Sequence, residues 1–498
     1  MSEKKVVIIG SGLGGLACGV ILAKNGYQVT VLEKERQVGG CLQCFVRNGA
    51  KFETGMHFIG SAMEGQTLYR LLNYLNVIPD IKLSQLDTNA YDIVALNGRK
   101  FEFANGREPF VNKMADYFPK QRENLNRYFD LIEKVAGASS MHSLKYAEKE
   151  NPINAQYQLV AINQIIDSII TDKLLANVLV GNLPLYAAEK DKTPFATHAF
   201  IMDFYNQSAF RVVGGSDAIA VSLCNTLNRC GANVIRNARV TDIICDDSKA
   251  VAVKTQQGEI INADYVISDT HPMRTLEMLK TNIIRPAFRQ RIKNVPQTVG
   301  GFSLYLHFKE DSVPYMNSNY YAFNNDSPWG CEFYDNDSWP KGFLYMHLCH
   351  EDKPKFAKTG VVLSYMNIKD VEKWTNTSVG KRGEDYERFK DIKAEKLIES
   401  LENHFPGIKN NIENYYTSTP LTYRDYTGTE NGSMYGVAKD ISLGIAARIP
   451  HRLRVPNVYQ TGQNINSHGI LGVLVGAIVT CSEFLSAKTI YQQTMNLG

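Results

Sequence analysis

The 498-residue sequence predicts an α/β protein of two domains, one of them assembled from separated stretches of chain, and three observations carry that expectation. Val6 to Ile9 runs straight into a glycine-rich turn and then an apolar-periodic helix. Strand, glycine and helix signals of the same kind return after residue 206 and again near the C-terminus. Between residues 302 and 366, four runs alternate in the manner of an antiparallel sheet. The first domain is expected to be of Rossmann type and discontinuous, drawn from residues 1–85, 206–275 and 445–498. The second, an α+β substrate domain on the antiparallel sheet, takes 86–205, read as a helical insertion, and 276–444.

Gly10, Gly12 and Gly15 fit G-x-G-x-x-G in the strand–turn–helix context that gives the pattern meaning. Gly10 permits the turn, Gly12 lets backbone approach a pyrophosphate, and Gly15 lets the helix pack closely on the strand. The free N–H groups of this turn and the positive end of the helix dipole then face an anion. Leu13, Leu16, Ala17, Val20 and Ile21 predict one packed helix face. A second strand, Val29 to Leu32, ends at Glu33, with Lys34 behind it. A carboxylate there can accept hydrogen bonds from both ribose hydroxyls of an adenosine and repels a 2′-phosphate, which disfavours NADP.

Gly39-Gly40 lets backbone approach a ligand. Phe45 to Arg47 and the run through Phe52 to Glu53 read as a hairpin on a type I′ turn at Asn48-Gly49. An apolar loop from Gly55 to Gly60 carries His57, and a helix spans Leu68 to Leu75. Residues 85–205 show few strand signals, with helices over Leu125–Val135 and Leu159–Ile170. Gly214-Gly215 precedes a helix over Ala218, Leu223 and Leu227. Strands return at Asn233–Ile235, Val240–Ile244, Val251–Val253 and Tyr265–Ile267. After the second sheet, Tyr386 to Leu401 reads as an amphipathic helix with a solvated charged face. Arg448, His451, Arg452 and Arg454 form a basic loop, read as a solvated linker with docking to a membrane surface as the sharper alternative. Val458 to Gln460 then runs into Gly462, Gln463 and Asn464, and Gly469, Gly472 and Gly476 punctuate an apolar helix from about Leu471 to Leu485.

A net charge of +3 with signs interspersed argues against a nucleic-acid surface. Nine scattered cysteines, an odd number, and a start that enters a strand directly point to a reduced, cytoplasmic setting. Cys41 and Cys44 form C-x-x-C with no second pair or nearby histidine, so neither a metal site nor a thioredoxin-like motif is expected. The longest apolar stretch, Ile470 to Val479, is half the roughly 20 residues that span a bilayer. Nothing in the sequence sets an oligomeric state.

Taken together, the N-terminal ADP-binding unit, the glycine pairs and the C-terminal strand, loop and helix resemble flavoproteins of the phytoene desaturase and amine oxidase superfamily over nearly the whole chain. Phe52 to Gly60, Tyr435-Gly436 and the ending from Gly462 through Gly472 are most similar to its carotenoid isomerase and retinol saturase branch. The resemblance implies FAD. It puts the pyrophosphate on Gly10, Gly12, Leu13, Gly14 and Gly15, the adenosine ribose on Glu33 beside Lys34, and the middle of the cofactor near Gly39 and Gly40. Val240 would meet the adenine through its backbone, and Gly462, Asn464, Gly469, Ile470 and Gly472 would close over the pyrophosphate and ribityl chain. Relatives often have an acid where Asn464 stands, and many have an arginine where Cys41 stands.

The same resemblance implies an apolar, conjugated isoprenoid substrate whose double bonds are saturated, desaturated or isomerised. A polyene double bond offers no acidic proton or carbonyl, so the flavin does the chemistry and the protein needs no nucleophile. Reduced FAD would deliver hydride to one carbon while an acid supplies a proton, or would transiently perturb the bond to isomerise it. His57 and Tyr435 are the expected acids, although a histidine in an apolar loop is ordinarily a hydrogen-bonded structural residue. A lipid substrate also calls for contact with a membrane or carrier, giving the basic loop a purpose in a peripherally associated protein. An amine or amino-acid oxidase is the second reading. A non-catalytic isoprenoid escort of the same fold is the third, and the complete glycine triplet with Glu33 argues against it.

Overall fold

The computed structural model describes residues 4–144, 151–444 and 448–495. Its first sheet is wholly parallel, in the order Asn233–Ile235, Gln28–Leu32, Lys5–Ile9, Tyr265–Ser268, Val458–Gln460. A strand buried on both faces reads as a continuous apolar run, and Val6 to Ile9 are all buried. The helix Leu13–Lys24 differs from the single packed face expected of it, because every residue from Leu13 to Leu22 is buried. Helices Asp217–Arg229 and Gly469–Cys481 press on it from two further sides. Gly19 permits that approach, since a Cβ there would lie 3.0 Å from Leu227 Cδ2.

The hairpin Cys44–Arg47 and Ala50–Glu53 forms as expected, with positive φ at both Asn48 (47°) and Gly49 (71°). A small antiparallel sheet, Val240–Cys245, Ala250–Thr255 and Ile260–Asn262, packs beside the parallel one. Its third strand carries no run long enough to read from sequence.

The second large sheet has seven strands, in the order Ile412–Ser418, Gly300–Phe308, Thr359–Met366, Gly342–His347, Asn319–Phe323, Asp92–Leu96, Arg99–Phe103. Its last two strands correct the expectation of a helical stretch after residue 85. They form a hairpin on Asn97-Gly98, again with both φ values positive (52° and 68°), and join the sheet through one parallel pairing, Asn319–Phe323 with Asp92–Leu96. Downstream, helices Arg122–Gly137 and Phe195–Gln207 pack together. The helix expected from Leu159 starts only at Ile162, because Phe195 N donates to Val160 O (2.8 Å) and ties that segment into a bridge. The last apolar helix ends at Cys481, and a separate helix Ala487–Met495 follows it. Among the described residues no helix is long and apolar enough to cross a membrane.

Candidate functional site

The carboxyl ends of the parallel strands open onto one cleft, where open α/β sheets place their ligands. The cleft has a volume of about 960 Å³. Its wall includes Gly10, Gly12, Leu13 and Gly14 from the first turn, Glu33 and Lys34 from the end of the second strand, and Gly39, Gly40 and Val240. Gly462, Asn464, Gly469 and Ile470 line it from the C-terminal segment, and His57 and Tyr435 line it as well. Gly15 and Gly472 stand behind the wall. A Cβ on Gly15 would overlap the carbonyl oxygen of Gly10, and one on Gly472 would lie 2.6 Å from Ser467 Cβ, so both serve close packing.

Glu33 is buried and accepts three hydrogen bonds: Oε2 accepts from Ser11 N (2.9 Å) and Ser11 Oγ (2.6 Å), and Oε1 accepts from Glu35 N (2.9 Å). Lys34 donates to Asp425 O (2.8 Å) and pairs with Glu35 (3.2 Å), which turns it towards the helix Pro420–Thr427. The glycine pair lies directly on the glycine turn, Gly39 N donating to Ser11 O (2.9 Å). A Cβ on Gly40 would come within 3.2 Å of Gly12 Cα. Asn464 accepts a hydrogen bond from Val437 N (3.0 Å), so its amide holds the segment that carries Tyr435.

Three acidic residues of the cleft, Asp269, Glu277 and Asp425, are absent from the sequence reading, and Asp269 is the one at the glycine turn. Asp269 follows the strand Tyr265–Ser268, and a Cβ on Gly12 or Gly14 would lie 2.5 or 2.8 Å from its carboxylate oxygens. Burial and the charge of Glu33 push its carboxyl up to about 7, against the pull of the Gly15 and Gly12 amides. A signal existed, because a residue at the carboxyl end of a strand beside the glycine-turn strand faces the ligand edge of the sheet.

His57 has two partners that the sequence reading also missed. Its Nδ1 lies 3.4 Å from Glu53 Oε2, and its carbonyl accepts from Arg211 (3.2 Å). Glu53 is buried, accepts from Ser216 N (2.9 Å), and is raised above the ordinary carboxyl range by that burial. Arg211 is 1% exposed, and it also donates to Ser318 O and Asn319 Oδ1, both at 3.0 Å. A lone arginine between Phe210 and Val212, in a run that otherwise reads as strand, was its only mark in the sequence. Tyr435 donates its hydroxyl to Pro184 O (3.0 Å), packs its ring at 4.7 Å and a 35° tilt against His468, and has its phenol pushed up by burial.

The two C-x-x-C thiols are both protonated groups. Burial pushes Cys41, on the cleft wall, up to about 11, and Cys44, 3.6 Å from Ser216 Oγ, up to about 12. Part of the cleft wall is apolar. Leu344 and Met346 reach it from one side of a strand of the seven-stranded sheet, Leu363 from the next, and Phe58, Leu185 and Met434 complete that part of the wall.

Residues 13–386 match the family described as flavin containing amine oxidoreductase. The chain belongs to that family. Among its relatives, the all-trans-retinol 13,14-reductase of Rattus norvegicus is 29% identical, over 99% of this chain and 87% of that protein. Prolycopene isomerase 1 of an Oncidium hybrid cultivar is 23% identical, over 97% and 84% respectively. A crystal structure of an oxidoreductase from Methanosarcina mazei covers 96% of this chain and all of its own at a TM-score of 0.67 and 15% identity, a likeness of fold. As a flavin containing amine oxidoreductase the protein is a flavin-dependent oxidoreductase. The glycine turn suits that cofactor, since Gly10, Gly12 and Gly14 line the cleft as bare backbone at the start of the helix Leu13–Lys24, where N–H groups favour an anion.

Proposed function

We propose that the chain is an FAD-dependent oxidoreductase that saturates or isomerises carbon–carbon double bonds of a long, apolar, conjugated isoprenoid. The observation that carries this reading is the apolar wall of Phe58, Leu185, Leu344, Met346, Leu363 and Met434 in the same cleft as the glycine turn. The names of the retinol reductase and prolycopene isomerase relatives support the substrate class. FAD, rather than a shorter flavin, is supported by a cleft that takes in the phosphate-binding turn, Glu33 and Val240 together.

In this reading residues 1–85, 206–275 and 445–498 hold the cofactor, and 86–205 with 276–444 hold the substrate. FAD when bound supplies the hydride that a saturation needs. The amides of Gly12, Leu13 and Gly14 hold the pyrophosphate, Glu33 the ribose, and Asn464 keeps the Tyr435 segment in place. With Nδ1 of His57 turned to Glu53, Nε2 is the atom that gives up a proton. Tyr435, its hydroxyl committed to Pro184 O, orients substrate through its ring. The basic loop at 448–454 brings the protein to the membrane from which a lipid substrate is drawn.

The test is anaerobic reduction of the purified holoprotein by NADH, NADPH or dithionite, followed by a panel of polyenes and amines with product analysis. A polyene product two mass units heavier, or of the same mass and altered geometry, is expected. Oxygen consumption with amines and unchanged polyenes would make it an amine oxidase, and a colourless protein after incubation with FAD would make it an escort.

A further inference from the structure

The proposed chemistry leaves Asp269 without a role, yet this side chain occupies the centre of the phosphate-binding turn. Its backbone N–H donates to Ile9 O (2.8 Å), which pins it beside the residue that feeds the glycines. Its carboxylate oxygens reach the space kept open by Gly12, Gly14 and Gly462, three glycines from two distant parts of the chain. The amides of Gly15 and Gly12 point at it. A cradle built of N–H groups at a helix N-terminus favours an anion, and the chain has put its own anion there.

We propose that Asp269 is the site of a proton taken up with the dinucleotide: the pyrophosphate enters the cradle only when this carboxyl is neutral. The inference rests on the FAD reading above. Two charged groups of like sign cannot share one set of donors without cost, and neutralising the carboxyl removes that cost. The groups around it favour this. Glu33, from the end of Gln28–Leu32, adds a second negative charge, and Cys41, from the turn after Gly39, is a neutral thiol pushed up to about 11. The 461–464 loop contributes Gln463 and Asn464, which carry no charge. On its own segment His271 is lowered by burial and has its Nε2 3.1 Å from Gln297 Oε1. Farther along the cleft Lys34 is paired with Glu35 and Arg274 with Glu277, and Arg239 also lines the wall. The Asp269 carboxyl titrates at about 7, so the proton is available near neutrality.

The experiment is a titration of the full chain, freed of flavin, with FAD, followed by quenching of flavin fluorescence from pH 6 to 9 at constant ionic strength. For the wild type the dissociation constant is expected to rise above pH 7 towards tenfold per pH unit. Asp269→Asn is expected to bind with little pH dependence and about tenfold more tightly than wild type at pH 8, the cost of protonating a group one unit above its pKa. Asp269→Ser, which lacks both the charge and the shape, should give the same flat profile and so separates charge from packing. A wild-type affinity that is flat with pH, or variants that keep its slope, would overturn the role of Asp269 alone. Failure of wild type and variants to bind FAD at any pH would overturn the cofactor reading and this inference with it.

Discussion

Nδ1 of His57 faces Oε2 of Glu53 at 3.4 Å, while the carbonyl of the same histidine is held by the buried guanidinium of Arg211. Glu53 therefore orients the ring, and Arg211 holds the backbone that carries it, on the wall of the cleft. A positioned general acid contributes roughly 10²- to 10⁴-fold to a rate. His57→Ala should lower anaerobic single-turnover conversion of a polyene by about 10²-fold with flavin loading unchanged. Glu53→Gln, which keeps the shape and loses the charge, should cost about tenfold, less than the loss of the acid itself. Full activity in His57→Ala would remove the histidine from the mechanism.

Asp92 begins the strand that joins the hairpin to the large sheet, fully buried, with Asn319 Nδ2 donating to it at 2.8 Å. Burial pushes its carboxyl up to about 7 against the pull of Asn319 and Arg211. The folded state thus holds this proton more tightly than the unfolded chain, where an aspartate titrates near ~3.9. Its contribution to stability is fully present below that value and is lost as pH rises through about 7. The slope is at most about 1.4 kcal/mol per pH unit. Urea unfolding at pH 5 to 8 should show Asp92→Asn losing this part of the slope and exceeding the wild type at pH 8. Equal slopes in the two proteins would refute the assignment.

Gly15 tests packing against propensity. In a helix, alanine is favoured over glycine by roughly 1 kcal/mol. At Gly15, however, the added methyl meets the backbone oxygen of Gly10, which has nowhere to go. Overpacking costs about 1–3 kcal/mol. Gly15→Ala is expected to lower the melting temperature and weaken flavin binding. Gly137→Ala, at the end of Arg122–Gly137 with nothing within 4 Å of the new methyl, should leave both unchanged or raise stability slightly.

What could be read in the sequence was what is local. Gly10 to Gly15, Glu33 and the Asn48-Gly49 hairpin are each written within a few residues, and the strand–turn–helix, the strand that ends at Glu33 and the hairpin each form as expected. The hairpin at Asn97-Gly98 carries the same dipeptide, but helical periodicity follows it, so the turn alone did not reveal the sheet it joins. Asp269 could not be assigned to the glycine turn without the register that sets Ile9 beside Ser268, a pairing across more than half the chain. Arg211 is likewise joined to His57 only by tertiary packing, whereas Glu53, four residues before His57, is a local neighbour that the loop's apolar pattern did not single out. A buried charge is visible in the sequence as an oddity, and its partners are not.

The basic loop after residue 448 is partly neutralised within the protein. Glu483 pairs with His451 (2.8 Å) and Arg452 (3.6 Å), whereas Arg448 and Arg454 are exposed. Each basic residue near an anionic bilayer contributes about 1 kcal/mol, an effect that salt screens. The wild type should bind anionic vesicles at low ionic strength and dissociate as salt is added. Changing Arg448, Arg452 and Arg454 together to alanine should abolish that binding without altering flavin spectra. Glu483→Gln should strengthen it by about fivefold, since it frees Arg452 to face the lipid. Co-sedimentation with vesicles decides the matter. Absence of wild-type binding would confine the loop to the role of a linker, and a Glu483→Gln variant no tighter than wild type would show that Arg452 faces away from the lipid.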